Sequence, residues 1–151
     1  MTAQTDHTSA NARTLISVDA MGGDQGPAAV VAGCLISAEA NPDISFILHG
    51  PEAELTALVA KHPLLAGRIQ IRDAVGVVTM EDKPSHVVRT GKDTSMWSAI
   101  ESVRTGEASV AVSCGNTGAL MALSMIRLRK LPGVNRRSEE RRVGKECTSW
   151  C

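Results

Sequence analysis

Short apolar runs alternate with segments of helical periodicity along most of this chain. The apolar runs predict four β-strands, at 14–20, 44–50, 68–71 and 108–113. The periodic segments predict five helices, at 28–40, 52–61, 85–90, 95–104 and 117–130. Because strands that alternate with helices favour a parallel sheet covered by helices, we predict an α/β fold with a mainly parallel sheet.

The two ends of the chain depart from this alternation. Residues 1–13 are small and polar, which predicts a mobile N-terminal tail. Residues 137–151, RSEERRVGKECTSWC, are densely charged, lack an amphipathic stripe and resemble translated sequencing adapter. We therefore assign the α/β domain to residues 14–136 and expect the last segment to be non-native. A natural basic tail is the alternative.

Composition supports a globular domain and argues against a nucleic-acid-binding protein and against a membrane-spanning segment. The 151 residues are 43% hydrophobic, as in a folded domain. A formal net charge of zero and an aromatic content of 2% provide neither a basic surface nor stacking platforms for nucleic acid. No apolar run reaches the roughly 18 to 20 residues that span a bilayer, and the start lacks a secretory signal. We therefore expect a cytoplasmic protein.

The cysteines form no recognised metal or disulfide pattern. Cys34, Cys114, Cys147 and Cys151 include no CxxC pair that is followed by a second pair or by histidines. We therefore expect reduced thiols and no metal site. A thiol can form an acyl intermediate, so Cys114 is a secondary candidate for a nucleophile, although no motif pairs it with a base.

A glycine loop, DAMGGD, follows the first predicted strand. It places Gly22 and Gly23 between the carboxylates of Asp19 and Asp24. Loops at the carboxyl edge of a parallel sheet are where ligands of open α/β folds bind. The alternative is an ordinary turn in which Asp24 caps the helix that follows.

A second turn, SCGNTGAL at 113–120, connects the last predicted strand to the last predicted helix. Its small residues allow close approach of the backbone, and a helix start presents free amides that suit a phosphate. Asn116 or Thr117 is expected at the N-cap. The alternative is a capped tight turn without a ligand.

Two lysines lie ahead of predicted helices. Lys83 belongs to MEDKPS and Lys92 to KDTSM. A cation and free backbone amides can converge there on an oxyanion. A lysine near a helix N-terminus opposes the macrodipole, which is a small cost and so suggests a purpose. Ordinary solvated lysines are the alternative.

Five motifs in order, DAMGGDQGP, MEDKPS, KDTSM, SCGNTGALMA and LPGVNR, resemble the N-terminal part of the bacterial phosphate acyltransferase family. The resemblance covers residues 14–136. It implies transfer of a fatty acyl group from acyl carrier protein to inorganic phosphate, which gives acyl phosphate for phospholipid synthesis without a cofactor. It also implies a three-layer α/β/α sandwich related to isocitrate and isopropylmalate dehydrogenases, in a homodimer that attaches reversibly to membranes. Since that family continues beyond 136, we expect a truncated fold and an inactive fragment.

The resemblance and the turn chemistry together suggest roles for individual residues. We expect Asn116, Lys83 and Lys92 to act in catalysis, through donation to developing charge and charge compensation. We expect phosphate or substrate to be bound by Asp19, Gly22, Gly23, Asp24, Ser113, Gly115, Thr117 and Gly118. The family more often has alanine at the position of Cys114, which argues against an essential thiol. The alternatives are a phosphotransacetylase-like or dehydrogenase-like enzyme, or a non-catalytic module that docks at the membrane.

Overall fold

The computed structural model describes residues 13–129. Within them, the strands are β1 (Thr14–Asp19), β2 (Ile44–Gly50), β3 (Ile69–Asp73) and β4 (Val110–Ser113). The α-helices are α1 (Gly26–Ala40), α2 (Glu52–Val59), α3 (Pro84–Thr90), α4 (Ser95–Arg104) and α5 (Thr117–Arg127). Each corresponds to a predicted element, with ends that differ by at most three residues. The tail up to residue 12 and the segment 137–151 lie outside the described residues, so those predictions remain predictions.

The strands form one parallel sheet in the order β3-β2-β1-β4. Successive side chains of a strand point to opposite faces. Val18 of β1 therefore packs with Val31 of α1, whereas the neighbouring Ser17 donates a hydrogen bond to the Ala99 carbonyl of α4. Helices cover both faces of the sheet, which confirms the predicted α/β fold with a parallel sheet. The relationship to the dehydrogenases stays a prediction.

Two separate apolar clusters fix the helices, one between the sheet and the helices α1 and α2, and one among α3, α4 and α5. Val31, Cys34 and Leu55 lie in the cluster under α1 and α2, whereas Met96 and Leu123 lie in the cluster shared by α3, α4 and α5. Fully burying a side chain of this size stabilises a fold by about 1.5 to 3 kcal/mol. The first cluster therefore fixes α1 and α2 on the sheet, and the second fixes α3 and α5 against α4.

The fourth strand starts later than its apolar pattern predicts. Ala108 donates its backbone N–H to the Ser102 carbonyl at the end of α4, so it completes the turn that leaves the helix. The regular strand then begins at Val110. The alanine matches a strand by polarity, but the hydrogen bond assigns it to the turn.

One face of β4 is open to solvent in the described part of the chain. Val110 and Val112 are 44% and 43% exposed. β4 pairs with β1 on one side, and no residue between 13 and 129 pairs with its other edge. An unpaired edge that carries exposed valines favours association with another strand.

Polar contacts fix α5 against α4. Glu101 of α4 accepts hydrogen bonds from Arg104 and Arg127, and Arg127 of α5 lies 4.9 Å from the centre of the Trp97 ring. The guanidinium groups of Arg104 and Arg127 lower the pKa of Glu101 to about 2. This contact orients α5, so it also sets the position of the turn that precedes α5.

A buried histidine joins the sheet to α4. The imidazole of His49 is fully buried, with Nε2 at 2.8 Å from Ser17 Oγ and Nδ1 at 2.7 Å from Ser98 Oγ. The single hydroxyl proton of Ser17 is used by the Ala99 carbonyl, so Nε2 must be the donor to Ser17. Burial lowers the pKa of His49 to about 4, so the imidazole is neutral near pH 7 and Nδ1 accepts from Ser98.

We predict that His49 makes the stability of the chain depend on pH in a defined window. Burial lowers its pKa from 6.5 to about 4, and the nearby Arg72 acts in the same direction. The unfolded state therefore binds a proton before the folded state does, and stability is lost as pH falls from about 6.5 to about 4. The loss should be about 3 kcal/mol, since one pKa unit corresponds to about 1.4 kcal/mol.

Urea unfolding between pH 4.5 and 7 measures this effect, and comparison between variants removes the shared contribution of carboxylates that titrate near pH 4. His49→Gln should flatten the profile, whereas His86→Gln, which removes an exposed histidine, should keep the wild-type slope. Equal slopes in wild type and His49→Gln would contradict the assignment.

Candidate active site at the carboxyl edge of β1 and β4

The two glycine turns meet because their strands are neighbours. Asp19, the last residue of β1, lies opposite Ser113, the last residue of β4, in the parallel register. Both strands end at the same edge of the sheet, and the Gly22–Gly23 loop and the 113–118 turn leave from there. The structure thus brings together two motifs that are about ninety residues apart, as expected for parallel neighbours.

A chain of hydrogen bonds connects the two turns. The Asp19 carboxylate is 2% exposed and accepts from Ser113 Oγ at 2.7 Å and from the Met21 N–H at 3.2 Å. Ser113 Oγ in turn accepts the Gly115 N–H at 3.1 Å. We call this chain of Asp19, Ser113 and Gly115 the carboxylate relay.

Two glycines are required by the contact between the turns. A Cβ on Gly22 would lie 2.6 Å from Asp19 Oδ2, 2.7 Å from Ser113 Oγ and 2.9 Å from the Gly115 nitrogen. A Cβ on Gly115 would lie 2.8 Å from the Gly22 carbonyl oxygen. Gly22 and Gly115 therefore let one backbone approach the other. A Cβ on Gly23, by contrast, would meet Cys114 Cβ at an ordinary 3.7 Å.

Asn116 is the N-cap of α5, which is one of the two assignments that the sequence predicts. Its Oδ1 accepts the Ala119 N–H at 3.0 Å. Its amide nitrogen lies 3.0 Å from the Thr79 carbonyl, 3.2 Å from the Met80 carbonyl and 2.9 Å from the Asp82 carbonyl. Both polar ends of this side chain are thus used within the protein, and Asn116 ties the start of α5 to the 79–82 loop.

The 79–82 loop has its own hydrogen-bonded closure. Asp82 accepts from the Thr79 N–H at 2.8 Å and from Thr79 Oγ1 at 3.0 Å. These bonds lower the pKa of the Asp82 carboxyl. Sequence reasoning missed this pair, although a threonine three residues before an aspartate, ahead of a helix, is a recognisable turn signal.

Lys83 lies next to the start of α5. It is the N-cap residue of α3, directly ahead of Pro84, and its side chain is exposed. A Cβ on Gly118 would lie 3.1 Å from Pro84 Cγ, so the first turns of α3 and α5 are in contact. The backbone of Lys83 therefore lies close to the first turn of α5.

Lys92 is not brought beside Lys83. It lies in the short 3-10 turn Gly91–Asp93, after the C-terminus of α3, while Lys83 precedes the N-terminus. A helix of 7 residues is about 10 Å long at 1.5 Å per residue, so α3 separates the two positions. Lys92 instead precedes α4, whose first residue, Ser95, donates its N–H to the Gly76 carbonyl.

Unpaired backbone donors remain at the start of α5. The first four N–H groups of a helix have no partner within it. The Ala119 N–H is taken by Asn116 Oδ1 and the Leu120 N–H by the Asn116 carbonyl. Within the described residues this leaves the N–H groups of Thr117 and Gly118, and the exposed Thr117 side chain stands beside them.

Asp24 and Cys114 line an apolar groove of about 580 Å³ beside α1, together with Val18 and Val112. Asp24 is exposed and does not cap α1, because the N-cap is Gln25 and no side chain caps that helix. The alternative reading of Asp24 as a cap was therefore wrong. Cys114 is an exposed free thiol, whereas burial raises the pKa of Cys34 to about 11.

Comparisons with known proteins agree with this arrangement of motifs. The sequence profile described as "Fatty acid synthesis protein" matches residues 14–140. A protein of Roseobacter denitrificans named phosphate acyltransferase is 75% identical over 137 residues, which are 90% of this chain and 38% of that relative. The phosphate acyltransferase of a Ruegeria species is 70% identical over 137 residues, or 90% of this chain and 36% of the relative.

A third relative has the same name and a similar extent of match. The phosphate acyltransferase of Dinoroseobacter shibae is 72% identical over 123 residues, which are 82% of this chain and 32% of the relative. The chain thus spans less than two fifths of the length of these curated relatives.

We predict that alanine at Gly22 is far more damaging than alanine at Gly23. Gly22→Ala forces Asp19, Ser113 and the Gly115 backbone apart, and overpacking of this kind costs about 1 to 3 kcal/mol. Gly23→Ala meets only an ordinary contact, so its effect should stay within about 0.5 kcal/mol. The midpoints of urea unfolding of the two variants measure the difference. Equal unfolding midpoints for the two variants would show that the two turns are not in close contact at Gly22.

Proposed function

This chain belongs to the fatty acid synthesis protein family, and on that basis we propose that the full-length protein is a phosphate acyltransferase of lipid synthesis. We propose acyl carrier protein as the acyl donor, inorganic phosphate as the acceptor and acyl phosphate for phospholipid synthesis as the product. The observation that supports a phosphate site in this segment is the convergence of the β1 and β4 turns, the unpaired amides of α5 and Lys83 on one edge of the sheet.

The reaction needs few chemical groups from the protein. A phosphate oxygen attacks the thioester carbonyl carbon, a C–O bond forms, the C–S bond breaks, and the carrier leaves as a thiolate that takes up a proton. Thiolate is a good leaving group, so a dedicated acid is less important than the placement of the polyanion and stabilisation of the carbonyl oxyanion. Direct attack by bound phosphate requires no acyl-enzyme, so the scheme assigns no covalent role to Cys114.

The start of α5 suits the phosphate. Amide groups at a helix N-terminus bind anions because they donate hydrogen bonds and carry the positive end of the helix dipole. In our proposal the N–H groups of Thr117 and Gly118 contact the phosphate, and the Lys83 ammonium compensates its charge. Lys92 supplies a second cation from the opposite end of α3. Gly23 and Asp24 line the neighbouring groove, which Cys114 also lines.

In our proposal Asn116 supports this site by positioning the loop that precedes Lys83. Its amide hydrogens are directed at carbonyls of the 79–82 loop, so its contribution is to hold that loop, and hence Lys83, against α5. A shift of about 1 Å in a catalytic group can cost about a hundredfold in rate, which is the scale we assign to its loss.

The remaining partners follow from the reaction and from the family resemblance. Acyl carrier protein and inorganic phosphate are the substrates that the reaction requires. We further propose a cytoplasmic homodimer with peripheral membrane association. No helix among the described residues has the length and apolar character needed to cross a bilayer.

The activity is tested with full-length protein that carries this segment. Adding inorganic phosphate to acylated carrier protein should release the carrier thiol, measured with a thiol-reactive dye, and should form acyl phosphate that hydroxylamine traps. Release from acyl-coenzyme A alone would favour a phosphotransacetylase-like enzyme. No release from either donor would favour a docking module and overturn the proposal.

We predict that Asn116→Ala lowers kcat/KM for phosphate about a hundredfold, because the Lys83 loop is released from α5. Thr94→Ala is the matched control, since Thr94 caps α4 by accepting the Trp97 N–H and has no assigned role in the reaction. It should cost stability, about 1 kcal/mol as for other lost caps, with kcat/KM within threefold of wild type. An Asn116→Ala enzyme with wild-type kcat/KM would remove Asn116 from the scheme.

We also predict unequal effects for the lysines. Lys83→Gln should raise the KM for phosphate about tenfold, since a charge-assisted hydrogen bond is worth about 1.5 to 3 kcal/mol. Lys92→Gln should raise it less, because Lys92 lies at the other end of α3. Lys61→Gln, which removes an exposed lysine that follows α2, controls for the change in net charge. Equal KM values for all three variants would refute a role for Lys83 at the phosphate.

A further inference from the structure

Asp19 is a buried carboxylate without a cation. It is 2% exposed, and none of the ion pairs of the described residues includes it. A charge removed from water is costly unless hydrogen bonds satisfy it. Ser113 Oγ–H and the Met21 N–H are the donors that do so here. The fold therefore keeps a costly group at the edge of the sheet, which calls for a specific role.

A ligand cannot reach this carboxylate. Gly22 passes so close over Asp19 Oδ2, Ser113 Oγ and the Gly115 nitrogen that even a Cβ there would overlap all three. Ser113 and the Gly22 backbone therefore lie where a phosphate would have to enter. Direct contact between Asp19 and substrate is excluded by this packing, unlike the binding role that the sequence suggested.

The carboxylate instead fixes the direction of the bonds that follow it. An ionised carboxylate only accepts hydrogen bonds, so the single Ser113 hydroxyl proton must point to Asp19. The lone pairs of Ser113 Oγ are then left to accept the Gly115 N–H at 3.1 Å. The relay thus imposes one conformation on the turn just before Asn116 and the free amides of Thr117 and Gly118.

We propose that Asp19 and Ser113 are positioning residues, which hold the β4–α5 turn so that its amides can bind an anion of the phosphate class. The inference rests on the proposed function for the identity of that anion. Neither side chain touches the ligand. Their contribution is made through the Gly115 backbone, and Gly22 seals the relay from water and from substrate.

The test compares phosphate binding in full-length protein that carries this segment. Isothermal titration with inorganic phosphate gives the Kd for wild type, Asp19→Asn and Ser113→Ala. Ser17→Ala is the matched control, because Ser17 is another hydrogen-bonded serine of the same sheet that acts on α4 instead of on the turn. Urea unfolding of each variant records how much stability it loses.

The expected result separates positioning from general stability. Asp19→Asn and Ser113→Ala should weaken phosphate binding about tenfold, and exchange of the Gly115 amide hydrogen should accelerate. Ser17→Ala should lose comparable stability with its Kd within twofold of wild type. If Ser17→Ala weakens binding as much as the relay variants, or if those variants keep the wild-type Kd, the inference is overturned.

The same measurements distinguish this inference from the proposed function. Wild type that binds phosphate but releases no carrier thiol would overturn the proposed reaction, and the relay would still be judged by the ratio of Kd values. Wild type that binds no phosphate would overturn the anion site and the relay together. An active enzyme with unaffected relay variants would leave the reaction standing and remove only the positioning role.

Discussion

The contact between the β1 and β4 turns is the constraint on which the candidate site depends. Asp19 and Ser113 are opposed in a parallel register, and the backbones of Gly22 and Gly115 approach until neither has room for a side chain. The turn before α5 is therefore fixed from the sheet rather than by the helix alone. A helix start that floated on its own loop would present its amides in many orientations, and ordering them would then oppose binding.

Polar groups at this edge are satisfied so completely that few remain for a ligand. Within residues 13–129, no buried side-chain nitrogen or oxygen lacks a hydrogen-bond partner. Asp19, His49 and Asn116 are all engaged by the protein itself. The groups left over are the backbone amides of α5, the exposed Lys83 and the exposed carboxylate of Asp24. The amides and Lys83 are the groups on which the proposed anionic ligand depends.

The periodicity of the sequence was sufficient to predict the strands and the α-helices, because each apolar run and each helical stripe is a local pattern. It also placed the two glycine turns at one edge, since parallel strands share their direction. The order β3-β2-β1-β4 is not a local pattern, and the reason for Gly22 and Gly115 follows from it. The sequence suggested that those glycines let the backbone approach a ligand. In the structure, protein atoms occupy the space beside Gly22.

Long-range partners account for the other differences. Nothing near Asn116 in the sequence indicates that its amide reaches the 79–82 carbonyls, and nothing near His49 indicates Ser17 and Ser98. Lys83 and Lys92 were grouped because both precede helices, but α3 lies between them. Each of these facts depends on how helices pack across the sheet, which is decided by side chains distant in sequence.

The buried charge of Asp19 beneath the proposed anion site is a cost that the arrangement must offset. Like charges repel more strongly where water is excluded, so a carboxylate here opposes phosphate. An asparagine would avoid that repulsion, but its amide can donate as well as accept and would leave the direction of the Ser113 hydroxyl undefined. Only an acceptor on both oxygens forces the hydroxyl toward residue 19 and keeps Ser113 free to accept from Gly115. In the proposed complex, the α5 dipole and Lys83 attract the anion and so oppose this repulsion. The carboxylate of Asp19 is thus explained by the single conformation that it imposes on the turn, even though its charge disfavours binding of the anion.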